Sequence, residues 1–182
     1  LTKLPSDYLS MTYGKIGTDL WNKANGRGTD FLSVEHSRKS ISKETTFEND
    51  VLDKTILENV LSNLAAKVCY TLRKNEWLAS TISLKLRYSD FITYTRSKTI
   101  SPTDDEKIVY ETVLKLFNTA NTRRVAVRLL GVGLTNFIPF FFQDILFKTD
   151  KSKRENMLNA VDSLKRKYGY SIINYANANL HY

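Results

Sequence analysis

Residues 81–100 read TISLKLRYSDFITYTRSKTI, and this stretch decides the fold. Its first part, TISLKLRY (81–88), alternates strictly between apolar and polar side chains, which is the period of a strand with one buried face. The second part, FITYTRSKTI (91–100), is rich in the threonine, tyrosine and isoleucine that favour strands. Because only the short turn YSD (88–90) separates the two parts, the stretch predicts an antiparallel β-hairpin.

Helical periods lie on both sides of this hairpin. Residues 51–74 place apolar side chains three and four residues apart, with Asp50 as the candidate N-cap and Cys69 within the apolar stripe. After Pro102, the sequence TDDE (103–106) has the form of a capping box, and a second apolar helical face follows it. Two helices are therefore predicted, and Cys69 is interpreted as a core residue rather than a reactive thiol.

The chain offers few residues for metal binding or nucleophilic catalysis. Asp104 and Asp105 are interpreted as acids in the first turn of a helix, where the helix dipole favours them, rather than as metal ligands. One cysteine and two distant histidines, His36 and His181, exclude a cysteine–histidine zinc site and argue against cysteine–histidine or serine–histidine catalysis. A single cysteine cannot form an internal disulfide, which fits a reducing cytosol, so a cytoplasmic location is expected.

Two further strands complete the order β-α-β-β-α-β. The segment KSISKETTF (39–47) has β-type residues with a polar alternate face. The segment RRVAVRLLGVGL (123–134) alternates Val125, Val127 and Leu129 with arginine and alanine, and its two glycines indicate a bulge or a close backbone approach. The predicted fold class is α+β: a four-stranded antiparallel sheet with two helices on one face, a short helical segment before it and a helical tail after it.

The basic residues are concentrated in the predicted strands. The chain has a formal net charge of +8, and residues 123–134 carry three arginines and no acid. The sheet face opposite the helices would display such cations among serine and threonine hydroxyls, which are common ligands of nucleic-acid phosphates. An antiparallel sheet can also leave one face merely solvated. The scarcity of acids favours DNA or RNA binding, and the scarcity of aromatics favours backbone contacts over base stacking.

Four segments, taken in order, resemble the little-finger domain of Y-family DNA polymerases, and in particular their bacterial polymerase IV class. They are KSISKETTF (39–47), LKLRYSDFITYTRSKTI (84–100), PTDDE (102–106) and RRVAVRLLGVGLTNF (123–137). The leading stretch LTKLPSDYLSMTYGKIGTDLWNKANG (1–26) resembles the end of that family's thumb domain. The resemblance implies a thumb end and linker (1–37), a little finger (38–142), a clamp-binding peptide (143–147) and a tail (148–182).

The resemblance also implies the function of the intact protein, which would be a low-fidelity, lesion-bypassing DNA polymerase that uses magnesium and deoxynucleoside triphosphates. The family's catalytic palm precedes the thumb, and none of its carboxylate motifs occurs here. This stretch alone is therefore expected to be inactive and to hold no cofactor. Its expected partners are duplex DNA, the bacterial sliding clamp and the palm, fingers and thumb of the polymerase, and no membrane.

In this family, the little finger lies along the duplex major groove and contacts phosphates without reading the sequence. The matching positions in this chain are Lys39, Ser40, Ser42, Thr95, Arg96, Ser97, Arg123, Arg124 and Arg128. Ser42 stands where the family often has glycine, so its hydroxyl is expected to contact a phosphate while its side chain disfavours a tight backbone approach. The alternation in 91–100 leaves open whether Thr95 and Ser97 or Arg96 and Lys98 face outward.

The sequence QDILF (143–147) matches the Q-x-x-L-F peptide by which bacterial members bind the sliding clamp. At the matching positions, Leu146 and Phe147 would fill an apolar pocket and Gln143 would hydrogen-bond its rim. Asp144 stands where the family often has leucine, which predicts a lower affinity. The alternative is that Leu146 and Phe147 pack on the core of the domain itself.

Two other classes of function stay open, a free-standing nucleic-acid-binding module and a protein-interaction adaptor whose basic face binds an acidic partner. Salt-dependent binding to random DNA duplexes would exclude the adaptor. The tail has a helical stripe from Met157 to Tyr168, closed by Gly169. The segment YSIINYA (170–176) that follows it is interpreted as a short strand.

Overall fold

The computed structural model describes residues 1–28, 38–140 and 150–173, and the chain divides into two compact units, Leu1–Ser37 and Arg38–Tyr182. In the first unit, helices α1 (Ser6–Tyr13) and α2 (Lys15–Ala24) pack together. A Cβ atom at Gly17 would lie 1.9 Å from the carbonyl oxygen of Leu9, so only glycine allows this approach of the two helices.

The second unit is built on one antiparallel sheet with the strand order β1-β4-β2-β3. The strands are β1 (Ser40–Val51), β2 (Trp77–Tyr88), β3 (Thr93–Thr103) and β4 (Val127–Pro139). Helices α3 (Lys54–Lys74) and α4 (Glu106–Ala120) connect β1 to β2 and β3 to β4. Both helices pack on one face of the sheet, so the predicted α+β fold of order β-α-β-β-α-β is confirmed.

The hydrophobic core lies between this sheet and the two helices. Its fully buried side chains include Ile82, Leu84 and Leu86 of β2, Leu130 and Leu134 of β4, Leu61 and Val68 of α3, and Val109 and Phe117 of α4. Cys69 is 0% exposed within this cluster, which confirms its interpretation as a core residue. Burial raises the pKa of the Cys69 thiol, so the reactive thiolate is disfavoured.

Helix α3 begins three residues later than the predicted cap requires. Asp53 is the N-cap, and its carboxylate accepts a hydrogen bond of 2.7 Å from the backbone N–H of Thr55. The prediction of Asp50 was wrong, because β1 extends to Val51 and Asp50 is part of that strand.

Helix α4 also differs from its predicted start. Asp105 is the N-cap and accepts a 2.8 Å hydrogen bond from the backbone N–H of Lys107. Thr103 is the last residue of β3, and its hydroxyl accepts from the backbone N–H of Asp105 at 3.1 Å. The predicted capping box from Thr103 to Glu106 was therefore wrong, although Asp105 does serve the start of the helix.

Strand β4 begins at Val127, four residues later than predicted, and contains a bulge. Its register against β2 shifts between the pairs Arg87–Leu129 and Tyr88–Val127, so Arg128 is the extra residue. The bulge places Val127 in the core and Leu129 on the opposite face. The predicted common face of Val125, Val127 and Leu129 was wrong for this reason.

The tail forms helix α5 (Asp150–Tyr168) and then a 3₁₀ turn at Tyr170–Ile172. The predicted strand at 170–176 is wrong over these three residues, and the rest of it lies outside the described residues. Gly169 has φ +99° and ends α5, after which the Tyr170 ring packs edge-on against Tyr70 of α3 at 5.5 Å. None of the helices within the described ranges is long and apolar enough to cross a membrane.

Candidate nucleic-acid interface

Strand pairing places a set of polar side chains on the sheet face opposite α3 and α4, which we call the open face. Residues paired directly across antiparallel strands share a face. Four rows cross the sheet in the order β1, β4, β2, β3. They are Ser40, Thr135, Thr81 and Thr99; Ser42, Gly133, Ser83 and Ser97; Glu44, Gly131, Lys85 and Thr95; and Thr46, Leu129, Arg87 and Thr93.

The register of β3 decides which of its residues share the open face. Thr95 and Ser97 pair with Lys85 and Ser83, so these two hydroxyls lie on the open face. Arg96 pairs with Leu84 and belongs to the opposite face, as does Lys98. Both cations are nevertheless exposed, because β3 is an edge strand. The rim of the sheet at β3 therefore offers hydroxyls and cations side by side.

Gly131 and Gly133 leave the middle of β4 without side chains on the open face, so side chains from the neighbouring strands can approach its backbone closely. A Cβ atom at Gly133 would lie 2.6 Å from the Ser83 hydroxyl oxygen, and one at Gly131 would lie 2.7 Å from Cγ of Glu44. The glycines thus provide the predicted close approach, in which neighbouring side chains lie over β4. The bulge itself is at Arg128.

The open face is less basic than the sequence predicts. Nζ of Lys85 lies 3.0 and 2.9 Å from the two carboxylate oxygens of Glu44. Nε of Arg87 donates to the Thr93 hydroxyl at 2.8 Å. The sequence alone did not place an acid on this face, and β1 contributes Glu44 to it. Strand order was the missing signal, because β4 inserts between β1 and β2.

Arg123, one of the predicted phosphate ligands, is engaged within the domain. Its Nη2 donates to Oδ2 of Asp90 at 2.6 Å, and its guanidinium lies 4.9 Å from the centre of the Tyr88 ring. The hydrogen bond from Arg123 lowers the pKa of Asp90, and the same contact raises the pKa of Arg123. These contacts fix the loop before β4 to the turn between β2 and β3.

Arg124 and Arg128 have different surroundings. Arg128 lies in the bulge, with Nη1 3.6 Å from Oδ1 of Asp50 and its guanidinium 4.9 Å from the centre of the Phe91 ring. Arg124 is exposed in the loop before β4 and has no hydrogen bond or ion pair to any described residue. Neither arginine lies in the regular rows of the open face, in contrast to the prediction.

Several exposed cations at the edges of the sheet and in the loop before β4 have no acidic partner among the described residues. We call four of them the rim cations: Lys39, Arg96, Lys98 and Arg124. Lys39 precedes β1 at one edge of the sheet, and Arg96 and Lys98 lie in β3 at the other. Ser40 and Ser42 are exposed on the same face in β1. The arrangement is a hydroxyl-lined surface with cations at its margins.

Two other sequence-based expectations concern partners and metals. Gln143, Leu146 and Phe147 lie outside the described residues, so the clamp peptide stays a prediction. Within the ranges that the structure describes, no three histidine, cysteine, aspartate or glutamate side chains are close enough to hold a metal ion.

Comparison with known proteins identifies the family. A model of the impB/mucB/samB family C-terminal domain matches residues 38–143. The chain is similar to a protein named DNA polymerase IV from Dehalococcoides mccartyi, with 35% identity over 175 residues, which are 95% of this chain and 45% of that protein. It is similar to a protein of the same name from Listeria welshimeri, with 38% identity over 132 residues, or 72% of this chain and 37% of that protein.

This chain therefore spans less than half the length of these curated relatives. The matches confirm the resemblance to bacterial DNA polymerase IV, and they cover the sheet with its two helices. The chain belongs to the impB/mucB/samB family, whose C-terminal domain it carries at residues 38–143.

Proposed function

We propose that the domain at residues 38–140 binds duplex DNA through the phosphate backbone and does not read its sequence. The observation that carries this proposal is the hydroxyl-lined open face bordered by the rim cations. Lysine, arginine, serine and threonine are the side chains that most often contact phosphates. With strands about 4.8 Å apart, the four strands give a surface roughly 14 Å wide, which is close to the width of the major groove.

The composition of the open face supports binding that is independent of sequence. Its four rows contain no asparagine or glutamine, the residues that recognise adenine in the major groove. Serine and threonine hydroxyls both donate and accept, so they bind phosphate oxygens next to any base. Arg123 and Arg128 support the surface indirectly, because their guanidinium groups are already held by Asp90 and Asp50.

The intact protein would then be a low-fidelity, lesion-bypassing DNA polymerase in the cytoplasm, with this domain holding the primer–template duplex. The names of its relatives support the polymerase activity, and the low fidelity and lesion bypass rest on the resemblance to Y-family polymerases. Magnesium and deoxynucleoside triphosphates would bind in parts of the polymerase other than the described residues. The sliding clamp would be a further partner through Gln143, Leu146 and Phe147.

Salt dependence provides the test of DNA binding. The affinity for two duplexes of unrelated sequence should be equal and should fall between about 50 and 200 mM salt, because each phosphate contact releases counterions. If the four rim cations each contact one phosphate, the slope of log K against log salt is expected to be about −3.6. An adaptor with an acidic protein partner would bind neither duplex, and a strong preference for one sequence would contradict backbone recognition.

The clamp peptide is tested by replacing Leu146 and Phe147 together with alanine. As exposed anchors they should be needed for clamp binding but not for the fold, so clamp binding should disappear while the melting temperature and DNA binding are unchanged. If they pack in the core instead, each truncation should cost roughly 2–5 kcal/mol. Asp144→Leu is the complementary variant, and it should strengthen clamp binding by adding apolar area. A large fall in melting temperature for the alanine variant would contradict the clamp assignment.

A further inference from the structure

We propose that Glu44 is an internal competitor for DNA phosphate, which limits the affinity of the open face by holding Lys85 in an ion pair. This inference rests on the proposed DNA binding and goes beyond it by naming a residue that opposes binding. Of the sixteen residues in the four rows, Glu44 is the one acid, and its two carboxylate oxygens both contact Lys85.

The ion pair crosses a whole strand. Glu44 is in β1 and Lys85 is in β2, and both pair with Gly131 of β4, which lies between them. Two strand spacings separate their backbones by roughly 9.6 Å. Both side chains must therefore extend flat over β4 to bring Nζ within 2.9 Å of a carboxylate oxygen. The pair thus covers the middle of the third row, where a bound phosphate would lie between β1 and β2.

Gly131 provides the space for this pair. A Cβ atom there would lie 2.7 Å from Cγ and 3.3 Å from Cδ of Glu44, which is closer than van der Waals contact allows. The backbone of Gly131 is not in the left-handed region, so its conformation does not require glycine. The absence of a side chain at this position is instead what allows Glu44 to reach Lys85.

The pair is accessible enough to be displaced. The side chains of Lys85 and Glu44 are 35% and 38% exposed, and ion pairs with this exposure are weak because water screens them. A phosphate that approaches Lys85 must compete with the Glu44 carboxylate for the same Nζ atom, and the two negative charges repel each other. DNA binding by the third row therefore requires Glu44 to leave, and the domain binds less tightly than a surface with a free lysine.

Glu44→Gln tests this competition with the full chain and a duplex of random sequence. The glutamine keeps the size of the side chain and removes its charge, which releases Lys85 for one more phosphate contact. The slope of log K against log salt should become steeper by about 0.9, and the affinity at about 0.1 M salt should rise roughly eightfold. The melting temperature should change little, and Glu44→Thr provides a second variant with high strand propensity.

Two controls separate competition from a general change in charge. Glu111→Gln removes the same charge from an exposed position on α4, which packs on the other side of the sheet, and should change the affinity less than twofold. In a Lys85→Gln background, Glu44→Gln should no longer give the eightfold gain, because the lysine that it releases is absent.

The outcomes distinguish this inference from the proposed function. If the unmodified protein binds DNA with the expected salt dependence but Glu44→Gln gains no more than Glu111→Gln, Glu44 does not compete and only the inference fails. A gain that persists in the Lys85→Gln background also overturns it. If none of the variants binds DNA, the proposed function fails together with the inference.

Discussion

Replacement of Asp162 by alanine is expected to cost about 3–5 kcal/mol and to release α5 from the sheet-and-helix domain. Arg73 of α3 donates two hydrogen bonds to Asp162, from Nε at 2.6 Å and from Nη2 at 2.9 Å. The two side chains are only 7% and 6% exposed. Without Asp162, the guanidinium would be buried without its main counter-charge, and this is far more costly than the loss of an exposed pair.

Arg73 cannot avoid this cost by losing its proton. Burial acts to lower the pKa of Arg73, but the contacts with Asp162 outweigh burial and the pKa is raised. The remaining partners are the backbone carbonyl of Asp104, at 3.0 Å, and Glu106, at 3.7 Å. We expect α5 to detach from the domain so that water can solvate the guanidinium. The loss of protection from hydrogen exchange should therefore be concentrated in α5.

Hydrogen exchange of α5 amides and the melting temperature together provide the measurement. Glu58→Gln is the control on α3, the helix that carries Arg73, because Glu58 forms a partly exposed ion pair with Lys54 at 3.5 Å, and its loss should cost only a few tenths of a kcal/mol. Replacing both charges, with Arg73→Met and Asp162→Leu, should cost less than Asp162→Ala alone, because no buried guanidinium is then left without its main counter-charge. Unchanged protection of α5 in Asp162→Ala would show that other contacts hold the tail.

The fold could be predicted because its signals are local. The alternation of TISLKLRY and the helical period of 51–74 each depend on neighbouring residues, and the order of elements then leaves one natural layer arrangement. Details that depend on where a strand ends were not predictable in this way. Asp50 has the right chemistry for a helix cap, but β1 continues through it, and Asp53 takes the role.

The charges of the candidate site were harder to predict, because they depend on pairs far apart in sequence. Glu44 and Lys85 are separated by 41 residues, and Arg123 and Asp90 by 33. The first pair forms across β4, which inserts between β1 and β2, and no local pattern specifies that order. The arginines and lysines of the sequence therefore give the total positive charge of the site. Strand order and loop packing decide which of these cations are free of internal ion pairs and can bind phosphate.

The second prediction concerns cations that form no ion pair with a described residue. The combined replacement of Arg96, Lys98 and Arg124 by alanine should weaken DNA binding by about 10²–10³-fold at 0.1 M salt, because three counterion-releasing contacts are lost. The slope of log K against log salt should become shallower by about 2.7 for every duplex sequence. All three residues are exposed, so the melting temperature should change little.

A matched control replaces Lys67, Lys107 and Lys115 with alanine, since these lysines are also exposed but lie on α3 and α4. Both triple variants remove three positive charges, so a difference between them reports position rather than net charge. The helix variant should keep nearly the full salt slope, because exposed charges beyond a Debye length of about 10 Å are screened. Equal losses in the two variants would mean that DNA is attracted by net charge alone. A larger loss in the helix variant would place the DNA on the opposite side of the sheet.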